Sequence, residues 1–152
     1  MALADPKAPV LVGVGEASGG SLGLEWPSTV DLAAAAVKAA LDDSGAAEKL
    51  AASIDCLLSI RLFHDSGLPH EFGSPENHPE AVATASGLNP ATLLYGDVGG
   101  QSPQKHLNKL AAQVHSGEYK AVMLSSAENM GTVKRARRSG HKLDWNQPAT
   151  RE

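Results

Sequence analysis

The sequence predicts an α/β fold, a mostly parallel or mixed sheet of about four strands with crossover helices. Three observations carry this. Apolar runs of strand length occur at Val10–Val14, Ile54–Leu62, Leu93–Val98 and Ala121–Ser126. Stretches with helical spacing of apolar residues lie between them, at Thr29–Ser44, Pro79–Ser86 and Ser102–Ser116. Gly45, Gly87 and Gly117 follow those stretches, where helices stop. Strand, helix, strand in that order gives parallel strands with right-handed crossovers.

Val10–Val14 lies inside VLVGVGE, where Gly13 and Gly15 suggest close backbone packing or a turn at the strand end. Glu16 follows on a loop, and a lone loop carboxylate reads as surface rather than site. Trp26 is placed to anchor that loop. Thr29–Ser44 is the clearest helix: Ser28 or Thr29 caps it, and Asp31 puts negative charge in its first turn. Val30, Ala33, Ala34, Val37 and Leu41 form one face. So many alanines predict close packing against a sheet. In the second strand Cys56 sits in IDCLLSI, an apolar setting that reads as core rather than reactive thiol.

Phe63–His78 is irregular and polar. It holds His64, His70 and His78 with Asp65, Glu71 and Glu76. These residue types suit zinc, but their spacing matches no compact motif, so no metal site is predicted and the loop reads as substrate-facing or interface. From Ala91 to Met130 the chain reads as strand, turn, helix, strand. Gly99 and Gly100 permit a sharp turn or a close approach. Ser102 as cap and Pro103 at the first helical position start the helix. Leu107, Leu110, Ala111 and Val114 give it an apolar face. Two readings of the turn stand side by side: a ligand or chemistry at the helix head, or an ordinary crossover turn. It is neither a phosphate-loop nor a dinucleotide fingerprint. Lys134, Arg135, Arg137, Arg138 and Lys142 make a basic run suited to phosphates, an acidic partner or solvent.

A length of 152 residues fits one domain. Hydrophobic content of 42% with 20% charged residues places the chain among globular proteins. Aromatics are only 4%, so the core is built from Ala, Val, Leu and Gly. A net charge of −4 argues against general nucleic-acid binding, and one cysteine excludes an internal disulfide framework. No basic-apolar leader and no apolar run near 18 residues is seen, so the expectation is a soluble cytoplasmic protein with no membrane contact. Four strands leave an open flank, which calls for a partner, a second copy, or a remaining half outside this sequence.

The chain resembles the N-terminal half of the thiolase superfamily, most nearly the bacterial thiolase-like group often labelled acetyl-CoA acetyltransferase. The residues that carry the resemblance are Pro9–Glu16, Asp31–Gly45, Ile54–Arg61, Tyr95–Ala111, Ser116–Met130 and Arg135–Trp145. It implies an incomplete thiolase-like N-terminal domain over 1–152, ordered β-α-β-α-β-α-β and ending in a basic loop segment at 131–145. It further implies acyl-CoA-related, acyltransferase-like chemistry, with coenzyme A or acyl-CoA as ligand and no covalently bound cofactor. In working thiolases a nucleophilic cysteine stands at the head of the central helix, where helix-end amides favour the thiolate. Here Gly99 takes that place. Ser102 is a weak replacement, two or three positions late. By the same resemblance Gly99, Gly100 and Ser102 would face the acyl end, while Lys134, Arg135 and Arg138 would meet the phosphates. The isolated chain is then expected to be inactive as a thiolase. Its partner would be a second copy or a complementary thiolase-like half. A non-catalytic interaction subunit, or non-thiolytic carbon–carbon chemistry in a two-half complex, stays open beside it.

Overall fold

The computed structural model describes residues 5–68 and 70–151. Six helices and three strands alternate along it: α1 (Gly19–Leu22), α2 (Thr29–Asp43), α3 (Ala47–Ala51), β1 (Ile54–Ser59), α4 (His78–Ser86), β2 (Thr92–Tyr95), α5 (Ser102–Ser116), β3 (Ala121–Ser125) and α6 (Met130–Ser139). A 3₁₀ turn at Phe63–Ser66 interrupts the loop after β1.

The sheet order is β2-β1-β3, and both pairings are parallel. Leu57 stands opposite Leu93 on one side and Met123 on the other. Side chains alternate across a strand, so β1 feeds two cores. Leu57 packs with Ala33, Val37 and Leu41 of α2 and with Val82 and Ala83 of α4. Cys56 and Leu58 pack with Leu110 of α5 on the opposite face. Cys56 is fully buried, and burial raises its thiol pKa, as suits a core residue.

The predicted helices form, with local differences at their starts. Ser28 and Asp31 close a reciprocal capping box on α2. Asn77 caps α4 by accepting from the amide of Glu80. On α5 the cap position falls on Gln101, not Ser102, and Ser102 is the first helical residue. The buried line of α5 is Ser102, His106 and Leu110, while Leu107 is 41% exposed. Spacing alone had placed Leu107 on the apolar face; the helix is rotated so that His106 turns inward instead. The segment expected as a basic loop at 131–145 begins as α6, whose Val133 and Ala136 are buried.

One predicted strand is absent. Val10–Val14 has no ladder partner among the described residues, which leaves three paired strands rather than about four. The segment instead lies across α2. A Cβ at Gly13 would collide with the carbonyl of Ala40, and one at Gly15 with the carbonyl of Ala36. Only glycine lets the backbone sit this close to the helix. The Val14 amide donates to the Asp43 carboxylate at 2.9 Å. The apolar side chains of Val10, Leu11, Val12 and Val14 face outward, 52–75% exposed.

The residues after α6 also differ from expectation. They form a strap rather than a loose polar end. Trp145 donates its amide to the Phe72 carbonyl at 2.8 Å and meets the Phe72 ring edge-on. Gln147 bridges to Pro75, and Thr150 bonds the Glu80 carboxylate. The strap thereby fixes one side of the 63–77 loop.

Two predictions follow from this packing. Ala33 is fully buried in the cluster that joins α2 to α4 and to Leu57 of β1. Ala33→Leu overpacks that cluster and costs roughly 1–3 kcal/mol, read as a lowered thermal midpoint; an unchanged midpoint would refute the tight packing around Ala33. Gly15→Ala lifts the 10–16 segment off α2. Hydrogen exchange then shows the Val14 amide losing protection while β1 keeps its own; retained protection at Val14 would mean the segment does not need the glycine.

Candidate functional site

Parallel strands deliver all their carboxyl ends to one edge of the sheet, the usual place for ligands in such folds. The starts of α2, α4, α5 and α6 meet there. His78 at the start of α4 touches Ser59 at the end of β1 and Thr29 at the start of α2. Asn129, preceding α6, donates to the Pro27 carbonyl at 3.3 Å. Glu128 accepts from the amide of Phe63 at 2.6 Å.

The turn from β2 into α5 occupies one part of this edge. The Gly96 amide donates to the Ser59 carbonyl at 2.8 Å, extending the β1–β2 ladder. Gly99 has φ +123°, a region unfavourable to any side chain. The Ser102 amide donates to the Gly99 carbonyl at 3.0 Å, and its hydroxyl donates to the Asp97 carbonyl at 2.6 Å. Ser102 is fully buried. Its oxygen closes the turn, and among the described residues no hydrogen bond joins it to a general base, so it lacks the arrangement of an activated nucleophile. The Asp97 carboxylate pairs with Lys105, which holds it below the usual carboxylate range. His106 Nε2 accepts from the Asp97 amide at 3.2 Å.

Gly99, Gly100 and Ser102 are therefore together on one turn. Lys134, Arg135 and Arg138 are exposed on α6, and no hydrogen bond or ion pair among the described residues joins them to that turn. Arg135 donates to the Glu25 carbonyl at 2.6 Å and lies over the Trp26 ring, whose other contact is His141. Trp26 thus anchors its loop against α6. Arg137 pairs with Glu71 of the 63–77 loop, and this pairing lowers the Glu71 pKa.

The loop between β1 and α4 builds a second part of the edge. Asp65 accepts from the Tyr95 hydroxyl and pairs with His70 Nε2 at 2.5 Å. The Tyr95 oxygen accepts from the Leu62 amide at 3.1 Å. Burial and Asp65 push the Tyr95 pKa up, so its hydroxyl stays protonated. Arg61 lies 4.4 Å from the Tyr95 ring centre and donates from Nε to the Gly96 carbonyl at 3.2 Å. The His78 ring stacks on Tyr95 with centroids 5.8 Å apart. Around these groups opens a cavity of about 610 Å³. The sequence flagged His64, Asp65, His70 and His78 as one polar loop but gave no sign of Arg61 or Tyr95. Both belong to apolar strand runs, and only the parallel register brings the end of β2 beside the loop. No group of three or more metal-ligating side chains is found among the described residues.

His78 is the most constrained group here. It is 3% exposed. Nδ1 lies 3.0 Å from Ser59 Oγ and Nε2 3.2 Å from Thr29 Oγ1. Two hydroxyls, each able to donate or accept, satisfy a neutral ring of either tautomer. Burial pushes its pKa down to about 4, against a smaller upward pull from Asp65.

No family model matches the chain, and no curated protein matches it. Among solved structures it is similar to a monomeric SCP2-thiolase-like protein type 1 from Mycobacterium smegmatis, at 32% identity and a TM-score of 0.68. The similarity covers 84% of this chain and 25% of that one, so the chain spans about a quarter of that relative's length. No helix among the described residues is long and apolar enough to cross a membrane.

The buried neutral His78 makes stability pH-dependent. Its folded pKa lies below the unfolded value of 6.5, so between the two the unfolded chain binds the extra proton. The contribution is complete above pH 6.5 and is lost as pH falls towards about 4. It amounts to on the order of 3 kcal/mol. Chemical denaturation at pH 7 and pH 4.5 should show this drop, and His78→Gln should flatten it. An NMR titration placing the His78 ring near its ordinary pKa would contradict the buried network.

Proposed function

We propose, for a chain related to the thiolase superfamily over most of its length, the role of an amino-terminal thiolase-like module that holds an acyl thioester without covalent catalysis. One observation carries the reading: the head of α5 has no nucleophile. Gly99 stands there with φ +123°, and the nearby Ser102 hydroxyl is buried and bonded to a carbonyl. An acyl group brought to this turn meets backbone and no thiolate, so thiolysis and Claisen condensation through an acyl-enzyme have no starting residue. The amides of Gly100 and Gln101 have no partner among the described residues, which leaves two donors for a ligand oxygen. Exposed Lys134 and Arg138 would supply charge for the phosphates of coenzyme A. Arg135 is the weakest of the three basic candidates, because it already holds the Trp26 loop.

Intact-mass spectrometry with acetyl-CoA tests this directly. The expected result is no acetyl adduct after prolonged incubation, with saturable acyl-CoA binding by calorimetry. An adduct on Ser102 or Cys56 would overturn the non-covalent reading. Absence of any binding would overturn the acyl-thioester reading.

A second reading is favoured by a different observation. Val10, Leu11, Val12 and Val14 present an apolar extended segment to solvent, and the outer edge of β3 has no ladder partner among the described residues. Such a surface suits association with a second copy or with a complementary thiolase-like segment. In this reading the module is an interaction subunit and needs no ligand at Gly99.

A further inference from the structure

We propose that the cavity beside Tyr95 is a binding site for a small carboxylate, with the Arg61 guanidinium as its anchor. This site is separate from the Gly99 turn and does not depend on the acyl-thioester reading. Arg61 is held in place before any ligand arrives: Nε donates to the Gly96 carbonyl at 3.2 Å, and the guanidinium lies 4.4 Å from the Tyr95 ring centre. Its two terminal nitrogens have no hydrogen-bond or ion-pair partner among the described residues. A planar guanidinium with both ends available matches a carboxylate in two parallel hydrogen bonds.

The neighbouring acids do not take this role. Asp65 lines the same cavity, but one oxygen is bonded to His70 and the other to the Tyr95 hydroxyl. Asp97, on the turn after Gly96, pairs with Lys105. Glu76 receives the amide of Ala149 at 2.9 Å. A fixed cation therefore borders an open volume of about 610 Å³ with the nearby carboxylates engaged elsewhere. His70, held by Asp65 through Nε2, adds its ring to the wall of the cavity. Leu62, Leu68 and Pro75 on the wall supply apolar contact for a short hydrocarbon tail. Rigid placement of Arg61 lowers the ordering cost of binding.

The probe is butyrate, with butyramide as its uncharged counterpart, followed by NMR on the protein. Butyrate should shift the Arg61 Nε, His70 ring and Tyr95 ring signals in one saturable process. Butyramide should bind at least about tenfold more weakly, as should Arg61→Met to butyrate, the loss expected when charge-assisted hydrogen bonds are removed. Arg61→Lys keeps the charge but not the fork and should fall between. Equal binding of butyrate and butyramide, or no saturable shift at these three residues, overturns the proposal. That comparison uses the unaltered protein and so stands even if Arg61→Met fails to fold.

Discussion

Strand β1 is covered on both faces and paired on both edges. Its side chains must then be apolar in both directions, and Cys56, Leu57 and Leu58 are. At Ser59 the apolar run gives way to a hydroxyl that is still fully buried. A buried hydroxyl needs a hydrogen-bond partner. His78 supplies it, and His78 in turn needs Thr29. The polar chemistry of the carboxyl edge grows from this one requirement. Because α4 starts at His78 and α2 starts at Thr29, meeting it also fixes where two helices begin. The loop from Arg61 to Asn77 then has to arch over the network, which places Asp65 and His70 against Tyr95.

Much of the architecture was legible in the sequence, and the reason is local. The α2 cap, its alanine face and the glycine stops of α4 and α5 are signals contained within a few residues of each other. The parallel order followed from alternation of strands and helices. Val10–Val14 misled because an apolar run has the same appearance whether or not a neighbouring strand exists. The spacing of Gly13 and Gly15 was the better clue, since two glycines one residue apart fit a flat approach to a helix. The site was less legible. Ser59, His78 and Thr29 are 19 and 49 residues apart in their pairs. Arg61 and Gly96 are separated by 35. No local pattern encodes such pairs; the register of β1 against β2 does.

Charge at this edge is divided between holding the fold and facing outward. Arg135 and Arg137 tie α6 to the Trp26 loop and to Glu71. Lys105 steadies the Asp97 turn. These contacts are largely exposed, so each adds little to stability. Their effect is positional: they set the angle of α6 and of the 63–77 loop around the sheet end. Lys134, Arg138 and Arg61 stand outside that scaffold. A basic run read as one feature in the sequence is thus two sets of residues with different work.

The two parts of the edge differ in how their polar side chains are engaged. At the Gly99 turn the Ser102 hydroxyl is bonded to the Asp97 carbonyl and the Asp97 carboxylate to Lys105. Beside Tyr95 a charge is left over. Asp65 meets two donors, Tyr95 keeps its proton, and His78 is neutral, so the network is internally satisfied and carries no surplus positive charge of its own. An arginine guanidinium is a permanent cation in proteins, and Arg61 brings one to this wall. It is stacked on Tyr95 and half-buried, and among the described residues no ion pair joins its guanidinium to a carboxylate. A fold that needs only to bury Tyr95 could do so with an apolar neighbour. A fixed guanidinium at a cavity wall, without a carboxylate partner among the described residues, is what an anionic ligand requires.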